Sequence, residues 1–371
     1  MKIKALSRWT GLLVAGVLLA GTGASRPQPA DRYAVLEESA GVSAKALGEA
    51  IDPLFDAAAE ASTGETRAVI VLRNGRVIAE RYAPGFDARS RFLSWSMAKT
   101  VTGLLVGLMV SDGLLALDDP VPVAAWQQTG DPRAAITLRQ LLQMRSGLRH
   151  REDWRPTGDS DTLAMLAGEG ARDQAAFAAD RPMVHPDGRV FTFSSATSMI
   201  LAGLMTDQLT ASRDPSERRA AMARFLAARF AGPLGLRAFA ADYDESGTLH
   251  GAAMMHMTAR DYAAVGEFIR TRGRAGGRQL IADPWFDFMT APSPANPAYA
   301  AHLWLNRAGG ETPLFPGQAS ARLMAAVGER GQFVLIAPEQ GVVIVRLGVT
   351  RDEEMPALRA GLARLVRRFP G

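Results

Sequence analysis

An unbroken apolar run over residues 68–72 and a strand-like stretch over 77–82 flank Asn74-Gly75, a dipeptide suited to the positive φ values of a two-residue turn. This pattern predicts a β-hairpin. Ahead of it, residues 43–61 repeat apolar positions with a helical period. After it, residues 96–110 are apolar on nearly every side, with Gly103 and Gly107 permitting close approach, which predicts a buried helix stopped by Ser111-Asp112-Gly113. Thr137 reads as the N-cap of a helix running through Leu141 and Leu142 to a stop at Ser146-Gly147. From there to about residue 300 helical periodicity dominates, punctuated by Gly232-Pro233-Leu234-Gly235. Met222, Phe225, Leu226 and Phe230 recur at near-helical spacing and read as core, whereas Glu217-Arg218-Arg219 reads as a solvated face.

Strands return at residues 332–337 and 342–347, around Pro338-Glu339-Gln340-Gly341, and a helix over 353–368 closes the chain. Strands at both ends with helices between them predict an α+β fold. One antiparallel sheet is assembled from N- and C-terminal segments with flanking helices, and a mainly helical subdomain, about residues 96–300, is inserted between the sheet halves.

Composition adds location and exclusions. In the 371 residues, Lys2, Lys4 and Arg8 precede an apolar stretch from Gly11 to Leu19 and the small residues Thr22-Gly23-Ala24. Residues 1–24 therefore read as an export signal, with an uncleaved anchor as the alternative, followed by a leader and helix over 25–64 and one domain over 65–371. A periplasmic or secreted protein is expected, with no further membrane contact. Of the net charge of +4, three charges belong to that basic start, so no nucleic-acid partner is indicated. Cysteine is absent, which removes disulfides, thiol nucleophiles and Cys-ligated metals. His250 and His256 lie six apart without a supporting carboxylate pattern, so no metal site is expected.

Lysine usage is the sharpest chemical signal. Of 42 basic side chains only Lys2, Lys4, Lys45 and Lys99 are lysine. Arginine cannot be deprotonated in a protein, whereas a desolvated lysine can serve as a base. Lys99 follows Ser96 by three residues on the predicted helix, which puts both side chains on one face. A Ser96 at the first turn would also sit at the positive helix end. Such a pair can form an acylating nucleophile.

The context of this pair extends over three segments. Leu93-Ser94-Trp95-Ser96-Met97-Ala98-Lys99-Thr100-Val101-Thr102, then residues 113–120, then residues 136–148 resemble the serine β-lactamase and penicillin-binding-protein superfamily, in particular its class C-like esterase and amidase branch that includes aminohexanoate-oligomer hydrolases. The resemblance implies a two-subdomain fold, acyl-serine catalysis with Ser96 as nucleophile and Lys99 as base, and no cofactor or metal. It places Trp154 where the family loop ends in an aromatic pocket residue. It places Gly328 where backbone approaches the substrate, with the Glu329 N–H pairing with that of Ser96 as an oxyanion hole. The block from His185 to Ser195 is similar to the one in which relatives carry a catalytic tyrosine, yet here the residue is Phe193, two before Ser195. Phenylalanine cannot relay a proton; the resemblance implies that Phe193 and Ser195 face the substrate.

The expected function is thus a serine esterase or amidase on small acyl substrates, of reduced activity because of Phe193. A non-catalytic binding protein of the same fold is the alternative. True β-lactamase or D-alanyl-D-alanine carboxypeptidase activity comes third, because the Lys-Thr-Gly lysine that would meet a carboxylate is missing.

Overall fold

The computed structural model describes residues 32–56, 58, 62–155 and 159–370. The export signal read over residues 1–24 lies outside the described residues.

Twelve strands are named: β1 (Val35–Leu36), β2 (Glu65–Arg73), β3 (Arg76–Tyr82), β4 (Arg91–Leu93), β5 (Ala240–Ala241), β6 (Met255–Thr258), β7 (Arg274–Ala275), β8 (Arg278–Gln279), β9 (Trp304–Leu305), β10 (Met324–Gly328), β11 (Gln332–Ala337) and β12 (Val342–Val349). Seven of them form one antiparallel sheet in the order β1-β3-β2-β12-β11-β10-β9, so the N-terminal hairpin joins the C-terminal strands through β2 and β12. The Asn74-Gly75 turn has φ values of 49° and 80°, the double positive φ that its sequence demands.

The unbroken apolar runs have a physical reason. On β2, Ala68, Ile70 and Leu72 enter a core on one face of the sheet, and Val69 and Val71 enter a second core on the other. A strand covered on both faces has no solvent side on which to place polar residues. One face is covered by α1 (Ala44–Ile51) and the last helix, α11 (Met355–Val366). Against the other pack α2 (Met97–Ser111) and α9 (Ala259–Arg270). Between them run α3 (Leu138–Leu142), α4 (Asp161–Ala167), α5 (Gln174–Ala179), α6 (Ser195–Leu209), α7 (Pro215–Phe225) and α8 (Gly232–Leu234), and then α10 (Asp283–Met289).

Helix α2 is buried from Met97 through Met109. At Gly107 a Cβ would come within 2.4 Å of Trp285 Nε1, which is the close approach its glycine permits. Met222, Phe225, Leu226 and Phe230 are core, the last two in a π-helical turn after α7.

The structure corrects several expectations. The helix expected over 43–61 ends at Ile51, where Asp52-Pro53 opens a 3-10 turn over Asp52–Phe55. Helix α3 keeps its Thr137–Gln140 capping box but stops at Leu142, and Met144 follows in the left-handed region at φ 55°. The subdomain read as helical also contributes β5 and β6, which join β4, just ahead of it, in a three-stranded sheet β4-β6-β5 whose strands of two to four residues are too short to show a period of two. Arg218 does not face solvent: it is buried against Asp207 and Thr248.

Candidate active site

Two buried helices converge on one amine. Ser96 is the N-cap of α2 but makes no capping bond with its side chain, so its hydroxyl is left to meet Lys99, one turn on, whose Nζ lies 3.0 Å from Ser96 Oγ. Ser195 is the first residue of α6, and its Oγ lies 2.9 Å from the same Nζ. A third contact, 3.2 Å, runs from Nζ to the carbonyl of Ala252. Lys99 is 1% exposed. Burial lowers its pKa, against the opposing charges of Glu152 and Glu329.

Beyond Ser195 stands Glu152, which the sequence reading passed over. Its Oε1 accepts from Ser195 Oγ at 2.7 Å and its Oε2 from the Ser195 backbone N–H at 2.7 Å. His150 Nε2 contacts Oε2 at 2.8 Å. Burial works to raise the Glu152 pKa, but the Lys99 charge and the His150 and Ser195 hydrogen bonds outweigh it and hold the pKa at about 2. The side chains of Ser96, Lys99, Ser195, Glu152 and His150 thus form one continuous hydrogen-bonded chain. Glu152 sits between arginine-rich neighbours two residues before Trp154, a setting that reads as a solvated loop.

The turn that presents Ser96 is clamped from two sides. Ser94 donates its N–H to Met255 O and its hydroxyl to Ala253 O. On the opposite side, Gly328 at the end of β10 lies so close that a Cβ would come within 2.6 Å of Ser94 O, which accounts for the glycine. Glu329 follows in the hairpin turn, with Arg330 at φ 56°. Trp95 is also left-handed, at φ 47°, and its ring meets Trp154 edge-on at 5.7 Å. Phe193 completes the wall: its ring lies 4.9 Å from Lys99 Nζ, 5.5 Å from Trp304 and 6.1 Å from Tyr299.

The structure therefore brings Ser96, Lys99, Phe193 and Ser195 together, with Gly328 against the Ser94 carbonyl of the same turn and Trp154 on Trp95. One expected role is corrected. Ser195 was expected to face substrate, but it is fully buried with its hydroxyl engaged by Lys99 and Glu152. The tyrosines Tyr33, Tyr82 and Tyr262 bond to Asp52, Glu80 and the Phe92 carbonyl, while Tyr299 is buried against Phe193.

The residues match the beta-lactamase family model over 52–367. The chain belongs to the beta-lactamase family. A curated relative, the 6-aminohexanoate-dimer hydrolase of Paenarthrobacter ureafaciens, is 26% identical over 232 residues, which are 61% of this beta-lactamase-family chain and 57% of that protein. The aligned part thus falls short of two thirds of the relative's length.

Among solved structures, the fold is shared with EstCE1, a hydrolase with promiscuous acyltransferase activity (TM-score 0.64, 17% identity, 88% of this chain and 99% of that one). It is also shared with a D-stereospecific amidohydrolase from Streptomyces sp. (TM-score 0.56, 18% identity, 84% and 97%). A third is a penicillin-binding-protein homologue from Caulobacter crescentus (TM-score 0.59, 15% identity, 86% and 97%).

His302 supports this family site from behind and carries a pH prediction. It is 1% exposed and left-handed, with Nδ1 2.9 Å from the Leu142 carbonyl and Nε2 2.9 Å from Ser198 Oγ. Burial, with a smaller contribution from the nearby Lys99 charge, lowers its pKa from 6.5 to about 4 against the Leu142 hydrogen bond. Between those values the unfolded chain binds the proton and the folded chain does not. The corresponding stability is fully present above pH 6.5 and lost as pH falls towards 4, about 3 kcal/mol in all. Thermal melts of wild type and His302→Asn across this window should show the wild-type slope flattened in the variant; parallel curves would contradict the assignment.

Proposed function

We propose that this protein is an exported serine hydrolase that acts on small esters or amides through an acyl-Ser96 intermediate, with Lys99 as its base. The observation that carries the proposal is a buried, pKa-lowered amine 3.0 Å from a helix N-cap serine whose hydroxyl caps nothing. In the neutral state Lys99 takes the Ser96 proton as Oγ attacks the acyl carbon. The N–H groups of Ser96 and Glu329 hold the developing oxyanion. Trp95, Trp154, Phe193 and Trp304 supply half-buried aromatic surface suited to an apolar acyl group.

Phe193 bears on the leaving group. With no aromatic hydroxyl to pass it a proton, expulsion favours groups that depart as stable anions, hence esters before amides. The same residue supports a second reading, a binding protein that retains the fold. A fluorophosphonate probe should label Ser96, and p-nitrophenyl acetate and butyrate should be hydrolysed faster than nitrocefin. Absence of labelling at Ser96 would favour the binding protein, and rapid nitrocefin turnover a β-lactamase. Detection of a mature N-terminus near Ser25 by mass spectrometry of the periplasmic fraction tests export.

A further inference from the structure

We propose that Glu152 is a positioning residue for Lys99: a fixed, partly buried anion that acts through the Ser195 hydroxyl, aims the amine at Ser96 and stabilises the lysinium formed when the amine takes the serine proton. The proposal rests on the reading of Ser96 and Lys99 as nucleophile and base.

The directions of the hydrogen bonds carry it. An ionised carboxylate only accepts, so the single hydroxyl proton of Ser195 points at Glu152 Oε1. The Ser195 oxygen is then left to accept from Lys99. The Ala252 carbonyl can likewise only accept. A neutral amine has two N–H groups and one lone pair. With both N–H groups committed to Ser195 and Ala252, the lone pair is directed at the remaining neighbour, Ser96 Oγ, 3.0 Å away. When the Ser96 O–H bond breaks and its proton joins Nζ, the third N–H occupies that direction. No rotation is needed.

Charge points the same way. The charges acting on Lys99 are Glu152 from the loop after α3 and Glu329 from the β10–β11 turn, while His302, from the loop before β9, is itself shifted down in part by the Lys99 charge. Glu152 is the one joined to the amine by hydrogen bonds. Three donors, the Ser195 N–H, the Ser195 hydroxyl and His150 Nε2, keep it ionised, and two of them come from the N-terminal turn of α6, where an anion is favoured. The arrangement parallels the acid that orients the histidine of a serine–histidine–aspartate triad and is not itself protonated. Here a hydroxyl separates acid from base.

The scarcity of lysine makes the proposal directly measurable. Full-length protein labelled with [13Cε]-lysine contains four such side chains, Lys2, Lys4, Lys45 and Lys99, and the Lys99 signal is assigned by its loss in Lys99→Met. In Glu152→Gln its NMR titration midpoint should move to lower pH by about one pH unit or more, because the opposite charge that favours the lysinium is gone. The high-pH plateau rate of Ser96 labelling by the fluorophosphonate should fall at least about tenfold, less than the roughly 10²–10⁴-fold of a whole general base because the amine itself remains. Glu152→Asp, which keeps the charge, should label slowly with a midpoint near that of wild type.

An unmoved midpoint in a folded Glu152→Gln protein overturns the proposal. If that variant does not fold, Ser195→Ala decides: it should shift the midpoint in the same direction, and no shift is again fatal. A shifted midpoint with no labelling of the wild type at Ser96 sinks the hydrolase reading instead.

Discussion

Ser96→Ala should reduce ester hydrolysis by a factor of about 10⁴ to 10⁶ and eliminate fluorophosphonate labelling, since removing the nucleophile of an acyl-transfer site leaves only binding and oxyanion stabilisation. The variant should remain folded. Among the described residues the Ser96 hydroxyl caps no backbone group and bonds only to Lys99, so its loss costs about one ordinary hydrogen bond, roughly 1 kcal/mol. Circular dichroism and a melting curve close to those of wild type would therefore accompany the inactive protein. Activity retained within tenfold would place the nucleophile elsewhere and remove the basis for assigning Lys99 as a base.

Phe193→Tyr should work in the opposite sense and unevenly. The Phe193 ring is half-buried and lies 4.9 Å from Lys99 Nζ, so a hydroxyl on it brings a proton-relaying group to the edge of the site. p-Nitrophenolate departs without a proton, but an alkylamine cannot. Hydrolysis of a small N-alkyl amide should rise about 100-fold, at the low end of general acid–base contributions, while the p-nitrophenyl ester gains less than about tenfold. The ratio of amide to ester kcat/KM is the quantity to measure. An unchanged ratio would mean that the proton reaches the leaving group from Lys99 alone, and that Phe193 serves as a wall.

The fold was legible where sequence and structure share a strong local rule. Asn74-Gly75 could form only a tight turn, residues 68–72 could be apolar throughout only between two covered faces, and α2 could lack a polar side only in the interior. Strands β4, β5, β6 and β9 were not legible, because two to four residues cannot display alternation. The left-handed Met144 that ends α3 early is set by tertiary contacts, among them the bond from Thr192 N–H to its carbonyl.

In the site, Ser96 and Lys99 were readable because both lie within one helical turn. Glu152 was not, because its partners Ser195 and Lys99 are 43 and 53 positions away along the chain and its flanking arginines suggest solvent. The misplacement of Ser195 has the same origin: a motif position tells that a residue is near the substrate, but not on which side of the base it stands.

Of the six non-glycine residues with positive φ among those described, Trp95, Met144, His302 and Arg330 surround the site. Trp95 is the most consequential, since a bulky side chain in that conformation costs on the order of 1–3 kcal/mol and must be held there. Its observed aromatic brace is Trp154. A substrate whose acyl chain pushed Trp154 aside would remove one brace of the peptide that carries Ser96, leaving the Ser94 bonds to Met255 and Ala253 to hold it. On the proposed acyl-transfer function, acyl size would then be limited in part by the backbone one residue before Ser96, an oversized group being disfavoured through misalignment of the attacking oxygen.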